Sequence, residues 1–383
     1  MRILIFEWGT GTLTHRDMLD AFNEMNIEAD VVSYQFRDCN KDDFFLKRFS
    51  RFLEDREYDF VYSTNYFPLV AVACNRKNIK YISWSYDAPL DVPNIEDTLG
   101  LPCNYVFLYD SVQAQEYMNK GFTNIYHLPL AVNTKRLKNI HLTASEKEYF
   151  SSDVSFVGNI YNSSLLEIES VLNEYYKGYI EAVKKAQSQI YGYYLIDDVI
   201  TSELIEGMNA YIGRDVLSKE SLSYAIGAQI TREDRLLGLK LLSNHFDVKL
   251  YSSCTNELLD KVRYMGTVRY MDEMPKVFKA SKINLNMSLR CIKSGIPLRV
   301  LDVLGAGGFL ITNYQPEIDQ CFVNGEELVM YESIEDMYQK VDYYLKHEDE
   351  RLEIAKRGCE RVEKYFGYRN RVEKMLEAAG LCI

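Results

Sequence analysis

The chain has 383 residues, with 44 basic and 56 acidic side chains and a formal charge of -12. A non-specific nucleic-acid binder usually carries the opposite sign, whereas a local phosphate pocket is still allowed. Hydrophobic residues make up 47% and charged residues 26%, an ordinary globular balance, and no run of about 18 apolar residues offers a membrane span. The eight cysteines are scattered with no CxxC pair. The opening MRILIFEWGTG reads as a strand and turn rather than a secretion signal. Together these imply a reduced, cytoplasmic protein, with peripheral membrane contact left open.

In chain order, Arg2 to Phe6 reads as a strand that ends at Gly9 and Gly11. Thr14 precedes a helical stripe of Met18, Phe22 and Met25, and Asp17 stands where a capping-box acid would stand. Strands follow at Ala29 to Ser33, Asp59 to Ser63, Ile79 to Ser83, Tyr105 to Tyr109 and Ile125 to Leu128, separated by helical patterns. Strands that alternate with helices imply a parallel sheet covered on both faces. Residues 1–135 are therefore read as a Rossmann-like domain, and the polar, aperiodic 136–152 as a linker.

A second domain is read over 153–367. It opens with Val154 to Val157 and Gly158, and a helical insertion covers about 163–244. Strands resume at Phe246 to Tyr251, 265–268, Ile283 to Asn286, Gly308 to Thr312 and Leu328 to Tyr331. A helix is expected at 256–262, and the last helix at 368–379. The fold class is thus α/β, two Rossmann-like domains facing across a cleft, with ligands beyond the carboxyl ends of the strands.

The most informative stretch is Asn284 to Pro316, NLNMSLRCIKSGIPLRVLDVLGAGGFLITNYQP. Pro297 suits the start of a helix, where free amides hold anions. Arg290 and Arg299 can contact phosphate oxygens, and Asp302 can accept hydrogen bonds from the two hydroxyls of a ribose. A surface Arg299–Asp302 ion pair is the plain alternative. Gly305, Gly307 and Gly308 suit a close approach of helix end and strand. The five histidines form no metal-binding spacing, Asp197-Asp198 reads as a turn or cap, and neither a Walker loop nor a GxSxG elbow is present.

Gly295-Ile296-Pro297-Leu298-Arg299-Val300-Leu301-Asp302, followed by Gly305-Ala306-Gly307-Gly308-Phe309, resembles the nucleotide-sugar-binding half of GT-B glycosyltransferases. With Trp84-Ser85-Tyr86-Asp87-Ala88-Pro89 and Phe156-Val157-Gly158, the chain most resembles the CgeB-like group of spore-maturation and cell-surface glycosylation proteins over nearly its whole length. The resemblance implies a metal-independent transferase that requires no cofactor. Its donor would be a nucleoside-diphosphate sugar, with UDP preferred, and its acceptor an unidentified hydroxyl.

By the same resemblance Asp302 binds the donor ribose, and Gly266 to Tyr270, with Arg269 and Tyr270, lies beside the nucleotide base. Asn313, Tyr314 and Gln315 are candidates for contact with sugar or diphosphate, and the last helix crosses back to the first domain. Ser294 stands where many retaining relatives carry a carboxylate, and Gly158 to Asn162 lacks the basic residues usual there. Arg263, Arg269, Arg290 and Arg299 are the candidate replacements. Deprotonating an acceptor needs a base. Asp87, Glu7 and His15 are the candidates, and Gly9-Thr10-Gly11-Thr12 fits an acceptor loop. Trp8, Trp84 and Tyr86 are read as either sugar-facing or packing rings. Two other readings stay open: a nucleotide-sugar-binding scaffold without catalysis, which the serine supports, and a nucleotide-sugar 2-epimerase on the same architecture.

Overall fold

Short strands of two to seven residues, most of them apolar and alternating with helices, build two parallel sheets in the computed structural model, which describes residues 1–9, 14–90 and 92–381. The chain divides into two compact units. One is Met1–Thr134 with Val362–Ile383, and the other is Lys135–Arg361. Each is a Rossmann-like α/β domain.

The first sheet contains β1 (Arg2–Trp8), β2 (Glu28–Tyr34), β3 (Phe60–Thr64), β4 (Lys80–Ser85), β5 (Asn104–Leu108) and β6 (Ile125–His127). Their order is β2-β1-β3-β4-β5-β6, all parallel. β3 is buried along its whole length, as a strand covered by helices on both faces must be. On one face Phe6 meets Phe36, Phe45, Phe49 and Phe67 with ring centroids 5.1–5.8 Å apart. The helix Asp43–Glu54 brings two of those rings, and Asp42 caps it by accepting from Phe45 N at 2.8 Å. The helix Tyr368–Ala378 belongs to this unit. Its Arg371 donates to Pro129 O at 2.7 Å, and Val132 N donates to Phe366 O at 2.9 Å.

The second sheet contains β7 (Val154–Val157), β8 (Val248–Tyr251), β9 (Arg263–Tyr264), β10 (Ile283–Asn286), β11 (Leu310–Asn313) and β12 (Val329–Tyr331). Its order is β12-β11-β10-β7-β8-β9, again all parallel. Between β7 and β8 the chain forms helices Leu165–Ser170, Glu174–Ser188, Ile196–Val199, Ser202–Ile212 and Lys219–Ser243. They share a separate apolar core around Ile180, Met208, Leu222 and Ile226, which also takes in Leu289 and Cys291 from the loop after β10.

Several local expectations change. Residues 136–152 include most of the short helix Thr134–Lys138 and all of Ala144–Phe150. The second is started by a capping box, with Thr143 Oγ1 accepting from Glu146 N and Glu146 Oε2 from Thr143 N. The helix expected at 256–262 is only a 3-10 turn, Glu257–Leu259. The strand expected at 265–268 lies earlier, at Arg263–Tyr264, because Gly266 turns the backbone to φ +74° and ends the pairing. Thr14 makes no side-chain cap on the helix His15–Glu24, because its own backbone is already helical at φ -95° and ψ 0°, and Asp17 accepts from Asn133 at 3.0 Å.

Gly307 and Gly308 join the helix Leu298–Gly305 to β11. Gly307 has φ +80°, and a Cβ on Gly308 would lie 2.7 Å from Asn284 Nδ2 and 2.8 Å from Phe278 O. One of those contacts is backbone and cannot swing away. Gly308→Ala is expected to destabilise the protein by about 1–3 kcal/mol, as overpacking does, read as a lower midpoint in urea unfolding.

Candidate functional site

In the second sheet the strand order reverses between β7 and β10. Such a switch point opens a crevice at the carboxyl ends of the strands, where α/β proteins bind ligands. Gly158 follows β7 there and donates to Tyr251 O at 3.0 Å. Asn313 ends β11, and its Oδ1 accepts from Ser288 N at 2.7 Å, which fixes the loop after β10.

That loop runs to Pro297, the residue before the helix Leu298–Gly305. Arg299, in the first turn, donates to Val157 O at 3.1 Å and so holds the helix start against the end of β7. Its guanidinium also lies 3.3 Å from Asp302 and over the Phe278 ring. Asp302 is only 1% exposed and accepts from the Tyr270 phenol at 3.0 Å. The Arg299–Asp302 pair therefore exists, with the carboxylate buried and the guanidinium half-buried rather than both at the surface. Tyr270 is buried too, with the Arg136 guanidinium 5.4 Å from its ring centre.

Ser294 is 2% exposed, and its hydroxyl donates to Glu317 at 2.8 Å. Glu317 comes from the first turn of the helix Pro316–Cys321. The serine brings no charge of its own, yet a carboxylate stands one hydrogen bond away.

Each arginine named as a phosphate candidate is tied to a carboxylate. Arg290 is 8% exposed, pairs with Asp234 at 2.7 Å, donates to Ile190 O at 2.9 Å and lies over the Tyr191 ring. Burial pushes the Asp234 carboxyl up, with Arg290 opposing. Arg269 is exposed and pairs with Asp272 and Glu273, and the hydrogen bond to Asp272 raises its pKa. Arg263 pairs with Asp247. The candidates missed in the sequence are Arg232 and Arg235, on the long helix Lys219–Ser243, which reach the loop after β7. Nothing in their one-turn spacing separates them from a solvated helix face.

In the first sheet the order reverses between β1 and β3. Glu7, near the end of β1, faces His15 Nδ1 at the start of the helix His15–Glu24. Both side chains are partly exposed, at 12% and 24%. A carboxylate on Nδ1 favours the tautomer that leaves Nε2 as the accepting nitrogen. Two residues named separately thus form one dyad. Asp87 is exposed in the loop after β4 and accepts from Asn65 Nδ2 at 2.6 Å. Asn65 Oδ1 in turn accepts from Tyr86 N at 2.8 Å. Trp84 is fully buried and donates to Leu128 O at 3.1 Å, with Tyr86 packed edge-on against it. Trp84 is therefore a packing ring, whereas Trp8 is 49% exposed. Of the glycine turn, Gly9 is described, and Thr10, Gly11 and Thr12 lie outside the described residues.

Among the described residues no three His, Cys, Asp or Glu side chains group to hold a metal ion. Among the same residues, no helix is long and apolar enough to cross a membrane.

The profile of a family described as glycosyl transferase-like matches residues 232–377. No curated protein matches the chain by sequence. In three dimensions it is similar to a glycosyltransferase from Rickettsia africae ESF-5, with TM-score 0.62 and 11% identity over 99% of this chain and 98% of that one. Anabaena HepE in complex with UDP-glucose gives TM-score 0.61 and 8% identity over 99% of both chains. Sucrose-phosphate synthase from Thermosynechococcus elongatus gives 0.60 and 9% over 99% of this chain and 98% of that one. At these identities the likeness is one of fold, and the fold is that of GT-B glycosyltransferases.

Tyr270→Phe removes the phenol that Asp302 accepts from. A hydrogen bond to a buried charged group contributes about 1.5–3 kcal/mol. The variant should lose stability in that range in denaturant titration, with its far-ultraviolet circular dichroism unchanged.

Proposed function

We propose that this protein transfers a sugar from a nucleoside-diphosphate sugar, with UDP as the nucleotide, to a hydroxyl acceptor, and that it needs no metal ion. The observation that carries the proposal is the placement of Asp302. It is a buried carboxylate on the helix that starts at the switch point of a Rossmann-type sheet, held there by Arg299 and Tyr270. The UDP-glucose complex of the similarly folded Anabaena protein supports the choice of nucleotide. The CgeB-like group remains the family that the run Gly295 to Phe309 most resembles.

On this reading the ribose hydroxyls take up hydrogen bonds to Asp302, displacing or sharing the Tyr270 phenol. The amides at the start of the helix Leu298–Gly305 face charge that grows on the departing diphosphate. In the first unit, His15 Nε2 takes the proton from the acceptor hydroxyl while Glu7 holds the ring and stabilises the imidazolium that forms. The acceptor oxygen bonds to the anomeric carbon. The bond from that carbon to the phosphate oxygen breaks, and its electron pair leaves with the diphosphate. Asp87, fixed by Asn65, is the alternative base.

Asp302→Ala is expected to weaken UDP binding by about 1.5–3 kcal/mol in calorimetry, the contribution of hydrogen bonds to a charged acceptor. Unchanged affinity in a folded variant contradicts the ribose role. His15→Ala is expected to lower kcat by about 10²–10⁴-fold, the span of general base catalysis, while leaving UDP affinity intact. A wild-type rate in that variant transfers the role to Asp87. Turnover of the donor to an epimer with no acceptor present would instead identify an epimerase.

A further inference from the structure

The long helix Lys219–Ser243 carries Arg232-Glu233-Asp234-Arg235. Its two acids are engaged elsewhere, Glu233 with Lys184 at 3.2 Å and Asp234 with Arg290 at 2.7 Å. The two arginines turn instead to the switch point of the second sheet. Arg235 is 6% exposed and donates to Asn159 O, after β7, and to Met287 O, after β10. Its guanidinium lies 5.1 Å from the Phe156 ring centre and 4.8 Å from that of Tyr161. Arg232, one turn earlier, uses one terminal nitrogen on Tyr161 O at 2.8 Å and on Ile160 O at 3.3 Å.

Among the described residues neither guanidinium forms an ion pair with a carboxylate. The Nε and second terminal nitrogen of Arg232 make no hydrogen bond. Arginines 263, 269, 290 and 299 each have a carboxylate partner. Burying a cation without a counter-charge is costly, so a site that keeps one has a use for its field. The open edge of a guanidinium presents parallel N–H groups that match two oxygens of a phosphate. The loop Gly158 to Asn162 has no basic residue of its own.

We propose that Arg232 contacts the diphosphate of the donor through Nε and its second terminal nitrogen, so that the insertion helix supplies the charge the loop after β7 lacks. Arg235 adds a fixed positive charge behind it and pins the Asn159 and Met287 carbonyls. The identity of the diphosphate as part of a nucleotide rests on the function proposed above, whereas the anion chemistry does not.

The test is calorimetric titration of wild type and Arg232→Gln with UDP, uridine and inorganic pyrophosphate, with melting temperatures confirming that both are folded. The expected result is at least a tenfold loss of UDP and pyrophosphate affinity in the variant, with any uridine binding unchanged. Arg232→Lys should recover only part of the loss, because an ammonium offers no fork. If the variant binds UDP as tightly as wild type, the inference is overturned and the nucleotide-sugar reading stands. If wild type binds pyrophosphate through Arg232 but binds UDP no better, the anion contact stands and the nucleotide reading falls. If wild type binds neither, both fall.

Discussion

Burying a carboxylate costs several kcal/mol unless a cation and further hydrogen bonds accompany it, and Asp302 has both. Arg299 supplies the cation, and the same guanidinium reaches across to Val157 O at the end of β7. One side chain therefore does two things. It compensates the buried acid, and it fixes the start of the helix Leu298–Gly305 against the neighbouring strand. Because that helix follows β10, the clamp spans the point where the strand order reverses. The helix amides, the Ser294–Glu317 contact and the Asn313-held loop are all positioned around this join.

The distribution of charge follows the same logic. A chain of net charge -12 has little reason to leave cations unmatched, and most of its arginines in the second unit are matched. Arg232 and Arg235, which reach the loop after β7, form no ion pair with a carboxylate among the described residues. Matched pairs are structural devices whose loss leaves a buried charge uncompensated, as with Arg290 and Asp234. Unmatched cations at a crevice that binds ligands are the ones whose field is available to an anion.

The alternation of strand and helix was legible because both sheets are parallel and their strands are short apolar runs. The motif from Gly295 to Gly308 was legible because helix entry, buried acid and glycine approach fall in one continuous stretch. Other features depend on contacts far apart in sequence. Thr143 and Glu146 carried the capping signal of a helix that overall polarity obscured. Thr14 and Asp17 carried the same signal and made no cap, because the Thr14 backbone is already helical and Asp17 accepts from Asn133. Glu7 and His15 were each visible as acids or bases, but their pairing depends on where the helix after β1 begins. Arg232 was invisible, since only the fold shows that the acids beside it are bound to Lys184 and Arg290.

The central claim is that the second unit binds a nucleoside-diphosphate sugar at the β7–β10 switch point. Its most direct measurement is calorimetric titration of the intact protein with UDP-, GDP-, ADP- and dTDP-sugars in the presence of a chelator. The account predicts saturable binding of one nucleotide class, UDP, without metal. No binding of any of the four by the folded protein would contradict it.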